Sequence, residues 1–559
     1  MRRRDIIRIV VVHGYFLQGT GSNLFVSNLC RELCLMGHEV LLFSQENHPD
    51  KLDFITGFFE FSSDNCHIST RFERESAYPG KCLCFRPNLG GILPVYVYDN
   101  YKGYQVKIFA ELSKSEIEEY IEKNQAALCT ILATQKPDLI LSNHIVMQPI
   151  YVDRAQSTLG YKVPHFNTVH GSCLNFAVRK SEIVKEYAEE AIAAVDRLVF
   201  VSQFSYKELI DFFEDIPNIN RKAKVIPAGV DIGKFQPLVS DEEKIKRMNL
   251  VVDYLQKNGV VRQPACDHPL SDMQTNFKQD GRDMWLPDAS AAKSIQAIDW
   301  NHSNLVLYYG KYLWTKGIHI LLAALPIVLN RCTDTYCLVV GFGEFRTYLE
   351  CMVTTLHQGQ EEKFRDMIGG NRTNYPGAAD DAIYFQLLRQ KLDDPIFARD
   401  YFSAAKGKIG QKVIFTGFMP HEYLRELIPC ADITVATSIF PEAFGMVGVE
   451  ALASGVIPLQ TNHSGFSELI AKYSLAMQEI FQDCKLKPLF LDENLIFNLA
   501  HNIHEFLNYY EQIDSQKRNE IRECARKIAL EYSWVSMTNQ YLNLLEDEIK
   551  ISSNKEETI

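Results

Sequence analysis

The sequence predicts an α/β protein with parallel sheets, divided between two domains. Three observations lead there. The chain has 559 residues, more than one hydrophobic core serves. Short runs rich in Val, Ile and Leu alternate with amphipathic stretches of helical period in both halves. Several of these runs end in glycine-bearing loops that open the next helix, and in such sheets ligands sit outside the carboxyl ends of the strands.

In chain order, Ile6 to Val12 reads as a strand, His13 to Gly21 as a glycine-bearing loop, Ser22 to Met36 as an amphipathic helix and Glu39 to Phe43 as the second strand. The loop glycines stand at 14, 19 and 21, so the dinucleotide fingerprint is missing, and no GK[ST] follows to make a P-loop. Lys136 to His144 stops a helix and starts a strand; Val163 to Val169 is a strand ending in His170-Gly171. A histidine at the carboxyl end of a parallel strand stands where ligands bind, which marks His144 and His170. Strands at Arg197 to Ser202 and Lys224 to Gly229 precede a turn at Pro227 and Gly229, and the domain boundary is expected near 232.

In the second half, Asn304 to Gly310 is a strand, and Lys311-Tyr-Leu-Trp-Thr-Lys316-Gly317 leads into a helix from Ile318 to Leu329. Two lysines in a loop that opens a helix make a local positive pair suited to a diphosphate. Strands follow at Tyr336 to Gly341 and Val413 to Gly417, then a helix over His421 to Cys430. The stretch from about 238 to 302 and that from about 354 to 411 are polar, with several Gly, Pro and Asp, and are expected to be surface insertions. Arg522 to Ile549 reads as one long helix, followed by a polar, disordered end.

The most informative stretch runs from Ala431 to Leu469. ADITVA is a buried strand, Met446 to Ala453 a short helix, Gly455 its stop and Val456 to Gln460 the next strand. Gly445 lets the backbone approach a ligand. The amides from Phe444 to Val447 lie at a helix N-terminus, which suits a phosphate. Glu442, in the loop, can accept hydrogen bonds from hydroxyls. Glu450 sits within an apolar helix, where a carboxylate is costly without a partner; vicinal ribose hydroxyls would serve.

Bulk numbers limit the choice. Apolar content of 46% and charged content of 23% are those of an ordinary globular protein. A net charge of −12 argues against a general nucleic-acid binder. Residues 1–235 carry 26 Lys+Arg against 28 Asp+Glu, so the excess acid lies further on. The 14 cysteines are scattered without a CxxC, and Cys30 and Cys34 read as core thiols on one helix face, which fits a reduced, cytoplasmic chain. No signal peptide or membrane span is expected. The basic start (Arg2, Arg3, Arg4, Arg8) is consistent with a peripheral contact to the anionic inner face of a membrane.

Glu442 and Glu450, eight positions apart around Ala443-Phe444-Gly445, resemble the E-x7-E signature of the family 4 glycosyltransferases. The Lys311–Lys316–Gly317 loop, the His170-Gly171 element and the Lys224 to Asp231 link (KVIPAGVD, with Phe235) resemble the same family. The resemblance implies the GT-B architecture, two Rossmann-like domains facing across a cleft with a C-terminal helix crossing back: 1–232 on the acceptor side, 233–521 on the donor side and 522–549 as the crossover. It implies a hexosyltransferase-like enzyme that moves a sugar from a nucleoside-diphosphate sugar, a UDP-sugar foremost, to a hydroxyl of a glycan, lipid-linked or small-molecule acceptor. Anomeric configuration would be retained, with no metal or other cofactor; indeed no D-x-D occurs in the chain. His170, Lys311, Lys316 and Glu442 would be catalytic. Gly19, Thr20, Gly21, Ala443, Phe444, Gly445, Met446, Val447 and Glu450 would bind the donor, and Asn23 and His144 the acceptor. The family's first cation here is more often Arg; Lys311 keeps the charge without the bidentate fork. A nucleotide-sugar epimerase of GT-B architecture and a non-catalytic nucleotide-sugar sensor are the alternatives.

Overall fold

In the computed structural model, which describes residues 6–19, 21–96, 103–262, 285–369, 381–478 and 484–556, the Val- and Ile-rich runs become the inner strands of two sheets. The central strands are buried along most of their length, the usual condition of parallel strands covered on both faces.

The chain forms two units, Met1–Gly229 with Tyr532–Ile559, and Val230–Glu531. The first holds β1 (Arg8–Val12), β2 (Glu39–Phe43), β3 (Ile55–Phe61), β4 (Ile68–Glu73), β5 (Lys81–Arg86), β6 (Ile92–Val95), β7 (Gln105–Ile108), β8 (Leu139–Asn143), β9 (His165–Val169), β10 (Arg197–Phe200) and β11 (Ala223–Val225). Nine of them form one sheet in the order β11-β10-β9-β8-β1-β2-β5-β3-β4, while β6 and β7 pair by themselves. The pairing is parallel except that β4 returns antiparallel along β3 as an exposed edge, which the strand–helix alternation does not announce. Because β1, β8 and β9 are neighbours, their carboxyl ends lie side by side.

The second unit holds β12 (Asn304–Tyr309), β13 (Thr335–Val340), β14 (Val413–Gly417), β15 (Ile433–Ala436) and β16 (Ile457–Gln460), all parallel, in the order β14-β13-β12-β15-β16. Its central helix, Ile318–Leu329, is apolar on every face and buried throughout except at Ile327. That requires cover on all sides, and one of the two segments read as surface insertions, 354–411, supplies part of it. In 354–411, helices Gln386–Leu392 and Pro395–Ala405 bury Leu388, Leu392, Tyr401 and Phe402, and the Tyr401 hydroxyl donates to the Ala323 carbonyl of the central helix at 2.9 Å. In 238–302, helix Asp241–Asn258 buries Val251 and Leu255, and the Asp288 amide donates to Thr416 of β14 at 2.8 Å. For the described residues the expectation of surface insertions is corrected, while 263–284 and 370–380 lie outside them: the apolar residues of the described helices recur at helical spacing and are diluted by polar neighbours, so mean composition hides a packing face.

The single helix expected over 522–549 is two, Ser515–Leu530 and Trp534–Glu556, and the second runs into the stretch read as a disordered end, whose residues 557–559 lie outside the described residues. The two are held by different partners. Arg526 donates to the carbonyls of Ile232, Phe235 and Ala453 at 3.0–3.1 Å within the second unit. Trp534 packs edge-on to Phe25 at 5.6 Å, and the Tyr541 hydroxyl meets Thr168 at 2.8 Å, within the first.

Arg8 is not available for a membrane surface: it is paired with Glu39 and donates to the Gln135 carbonyl. Arg2, Arg3 and Arg4 lie outside the described residues, as does Thr20. Among the described residues no helix is long and apolar enough to cross a membrane. Cys30 and Cys34 are buried, and the described cysteines form no disulfides.

Candidate functional site

In the second unit the site is built where β12 and β15 end. After β15 the chain runs from Thr437 to Gly445 before entering helix Met446–Ala453. Gly445 has φ +86°, a left-handed backbone that favours glycine, and a Cβ there would fall 2.1 Å from the Phe466 ring. Gly445→Ala is therefore expected to cost roughly 2–5 kcal/mol from combined strain and overpacking. Denaturant unfolding of the variant checks this; a loss below about 1 kcal/mol would mean the turn is not held as described. The first N–H groups of the helix that follows have no carbonyl of their own helix to meet.

After β12, the loop Lys311–Lys316 tightens into a 3-10 turn at Trp314–Lys316, and Gly317 (φ +63°) opens the central helix. This loop and the one after β15 are stitched together. Ile439 N–H donates to the Thr315 carbonyl at 2.9 Å, Ser438 Oγ to the same carbonyl at 3.1 Å, and Thr437 Oγ1 to Gly317 at 2.8 Å. A Cβ on Gly317 would lie 1.9 Å from the Thr437 carbonyl oxygen, so glycine is what allows the close approach.

The stitching brings Lys316 and Glu442 together. Lys316 Nζ donates to Glu442 Oε1, which also accepts from Ser438 Oγ at 2.7 Å. Burial would raise the Glu442 carboxyl, but Lys316 and then Ser438 outweigh it and hold it below its ordinary value. Its backbone N–H meets Ser464 Oγ at 2.9 Å, and Gly465 N–H donates to its carbonyl at 2.9 Å. The sequence separates these two residues by assigning Lys316 to diphosphate and Glu442 to sugar; folding makes them one ion pair. Lys311 lies over the Phe342 ring, 5.6 Å from its centroid.

Glu450, on the short helix, is 4% exposed, and burial pushes its carboxyl up to about 8. His421 Nδ1 lies 4.0 Å away, beyond a hydrogen bond, and burial pushes that imidazole down to about 4, so it brings no charge at pH 7. At neutral pH it is mainly protonated and able both to donate and to accept.

In the first unit, His13, His144 and His170 follow the adjacent carboxyl ends of β1, β8 and β9. His170 Nε2 meets Asn143 Oδ1 at 3.1 Å; because the Asn143 amide donates to the Val12 carbonyl at 3.0 Å, its oxygen accepts and His170 Nε2 carries the proton. His144 lies 4.7 Å from His170 ring to ring, within rings of Tyr15, Tyr96 and His13. Burial pushes His13 down to about 4 and His170 to about 3, so both are neutral at pH 7. The acceptor-binding expectation for Asn23 and His144 meets side chains turned inward. Asn23 is 2% exposed, its oxygen on His13 Nε2 and its amide on the Gln18 carbonyl; His144 is 1% exposed. Gly19 takes φ +89° and Gly21 opens helix Gly21–Leu35.

Sequence reasoning missed Ser438, Ser464 and His13. Ser438, four residues before Glu442, was the most accessible of these; nothing local marks the others.

Comparison with known proteins bears on the class. With 98% of this chain and 100% of the other aligned, the structure resembles a glycosyltransferase from Rickettsia africae ESF-5 at TM-score 0.52 and 15% identity. α,α-Trehalose 6-phosphate synthase from Burkholderia multivorans aligns over 98% of this chain and 100% of its own, at TM-score 0.51 and 11% identity. Anabaena HepE, solved in complex with UDP, aligns over 97% and 100%, at TM-score 0.50 and 16% identity. The fold is that of the GT-B glycosyltransferases, two α/β units with parallel sheets. Within it, residues 400–527, which contain Glu442 and Glu450, match the family described as Glycosyl transferases group 1. An uncharacterised glycosyltransferase of Methanocaldococcus jannaschii is 24% identical over 186 residues, 33% of this chain. The match spans 34%, about a third, of that relative's length.

Proposed function

We propose that the chain is a glycosyltransferase of family 4 type that transfers a sugar from a nucleoside-diphosphate sugar to an acceptor hydroxyl, with retention and without a metal. The observation that carries this reading is the Lys316–Glu442 ion pair at the glycine-opened start of helix Met446–Ala453, with buried Glu450 further along the same helix. A diphosphate arriving there meets helix N–H groups from Phe444 to Val447 and competes with Glu442 for the Lys316 ammonium. Glu442, released from part of that pairing, turns to sugar hydroxyls. Lys311 supplies the second charge, and Glu450 takes the ribose. In the first unit, the His170 tautomer is set by Asn143. UDP is the nucleotide favoured: a fold neighbour was solved with it, and the absence of any D-x-D supports charge neutralisation by lysine.

Incubating the chain with UDP-, GDP- and ADP-glucose and an acceptor panel, with and without EDTA, tests this. Nucleotide release with glycoside formation is expected, unchanged by chelation. Activity lost in EDTA and restored by Mn²⁺ would overturn phosphate neutralisation by lysine. Interconversion of the sugar without transfer would make it an epimerase, and binding alone a sensor.

A further inference from the structure

Trp314 and His319 flank Lys316, one in the 3-10 turn that carries the lysine and one in the first turn of the central helix. Both reach the same buried carboxylate. Asp381 Oδ2 accepts from Trp314 Nε1 at 2.9 Å and lies 2.8 Å from His319 Nε2. Asp381 and His319 are fully buried, while Trp314 is only partly so. Asp381 comes from the 354–411 segment, 62 residues beyond His319. A carboxylate enclosed at that depth is costly unless its acceptor sites are filled, so the arrangement favours one position of the Trp314 ring and of the turn it belongs to. On its other side the same turn is tied to Thr437–Ile439 by the hydrogen bonds at Thr315 and Gly317. Lys316 is thus set between two anchors, one belonging to the loop of Glu442 and one supplied by the added segment.

We propose that Asp381 is a positioning residue for the phosphate-binding loop: through Trp314 it fixes the turn that aims Lys316, so that this one residue of the 354–411 segment supports the donor site. The proposal rests on the reading that Lys316 meets the donor's diphosphate. Misplacing a charged group by about 1 Å can cost up to a hundredfold. Trp314→Phe keeps the ring and removes the N–H donor.

The test is a double-mutant cycle on nucleotide affinity, by calorimetry with the full chain and the tightest binder among UDP, GDP and ADP. Trp314→Phe is expected to weaken binding about tenfold in the wild-type background, and by less than twofold once Lys316→Ala is present, because its effect passes through the lysine. Asp381→Asn should reproduce the Trp314→Phe loss; if it fails to fold, Trp314→Phe still decides the matter. A merely structural role would lower the melting temperature and leave affinity unmoved, or act equally in both backgrounds, and either result overturns the proposal. If Lys316→Ala itself leaves affinity unchanged, or the wild-type chain binds none of the three nucleotides, the donor-site reading fails and the proposal falls with it. Loss on Lys316→Ala with none on Trp314→Phe overturns the positioning role alone.

Discussion

Glu450→Gln is expected to stabilise the ligand-free protein at pH 8 while weakening its hold on nucleotide. In the unfolded chain the carboxyl loses its proton near 4.5; folded, it keeps it up to about 8. Between those values the native state binds more protons than the unfolded one, so the wild-type protein loses stability as pH rises through this window. A shift of this size corresponds to a loss on the order of 4 kcal/mol, less whatever local relaxation recovers. Gln has nothing to ionise, so the variant escapes the loss. The two proteins should melt close together near pH 4.5 and diverge by pH 8, with the variant the more stable. Calorimetric melting of both at the two pH values measures this, and parallel pH dependences would show that Glu450 is not buried as described.

The same substitution tests the ribose reading. Hydroxyls donating to Glu450 favour its ionised form, so nucleotide binding at pH 7 should release up to one proton, seen as a binding enthalpy that varies with the ionisation enthalpy of the buffer. In Glu450→Gln the release should vanish and affinity fall about ten- to a hundredfold, the worth of a hydrogen bond to a charged group. A variant that binds nucleotide normally would remove the ribose from Glu450.

Lys316→Ala should produce the larger kinetic effect. Removing one preorganised contact to charge that develops in the transition state typically costs roughly 10²–10³ in turnover. Here a second consequence follows from the ion pair. Glu442 would keep the Ser438 hydrogen bond and the neighbouring His463 against its burial, and its carboxyl would rise. The acidic limb of the pH–rate profile should then move to higher pH than in wild type. Steady-state rates of nucleotide release across pH measure both effects. Turnover within threefold of wild type would mean that the lysine serves only to neutralise Glu442.

The glycines show how much of this site could be read in advance. Gly445 and Gly317 stand out beside helix starts because only a narrow set of residues takes a left-handed turn, and both do so. The Glu442–Glu450 spacing and the lysine loop were legible for the same reason: the pattern is local. What was not legible is where these groups spend their charge. Lys316 and Glu442 are 126 residues apart, and the parallel order β12 then β15 is what makes their loops neighbours.

The polar 354–411 segment is the clearest failure. Its composition resembles that of surface loops, and no local signal separates Asp381 from Asp380 beside it. Yet the central helix, apolar on every face, demanded cover from somewhere in the chain, a demand the helix's own sequence states without naming the source. Likewise the pattern over 522–549 shows helical period throughout; Ser533, whose hydroxyl accepts from the Ser536 N–H at 3.2 Å, starts the second helix, and Arg526 and Trp534 take different partners.

The sequence by itself therefore determined the parallel strands around the site, the turns that open it and the chemical types gathered there, since each depends on residues a few positions apart. Only the tertiary structure decided the protonation of Glu450, the pairing of Lys316 with Glu442 and the anchoring of Trp314 by Asp381. Burial and hydrogen bonding across long stretches of chain are set by packing, and packing has no local spelling.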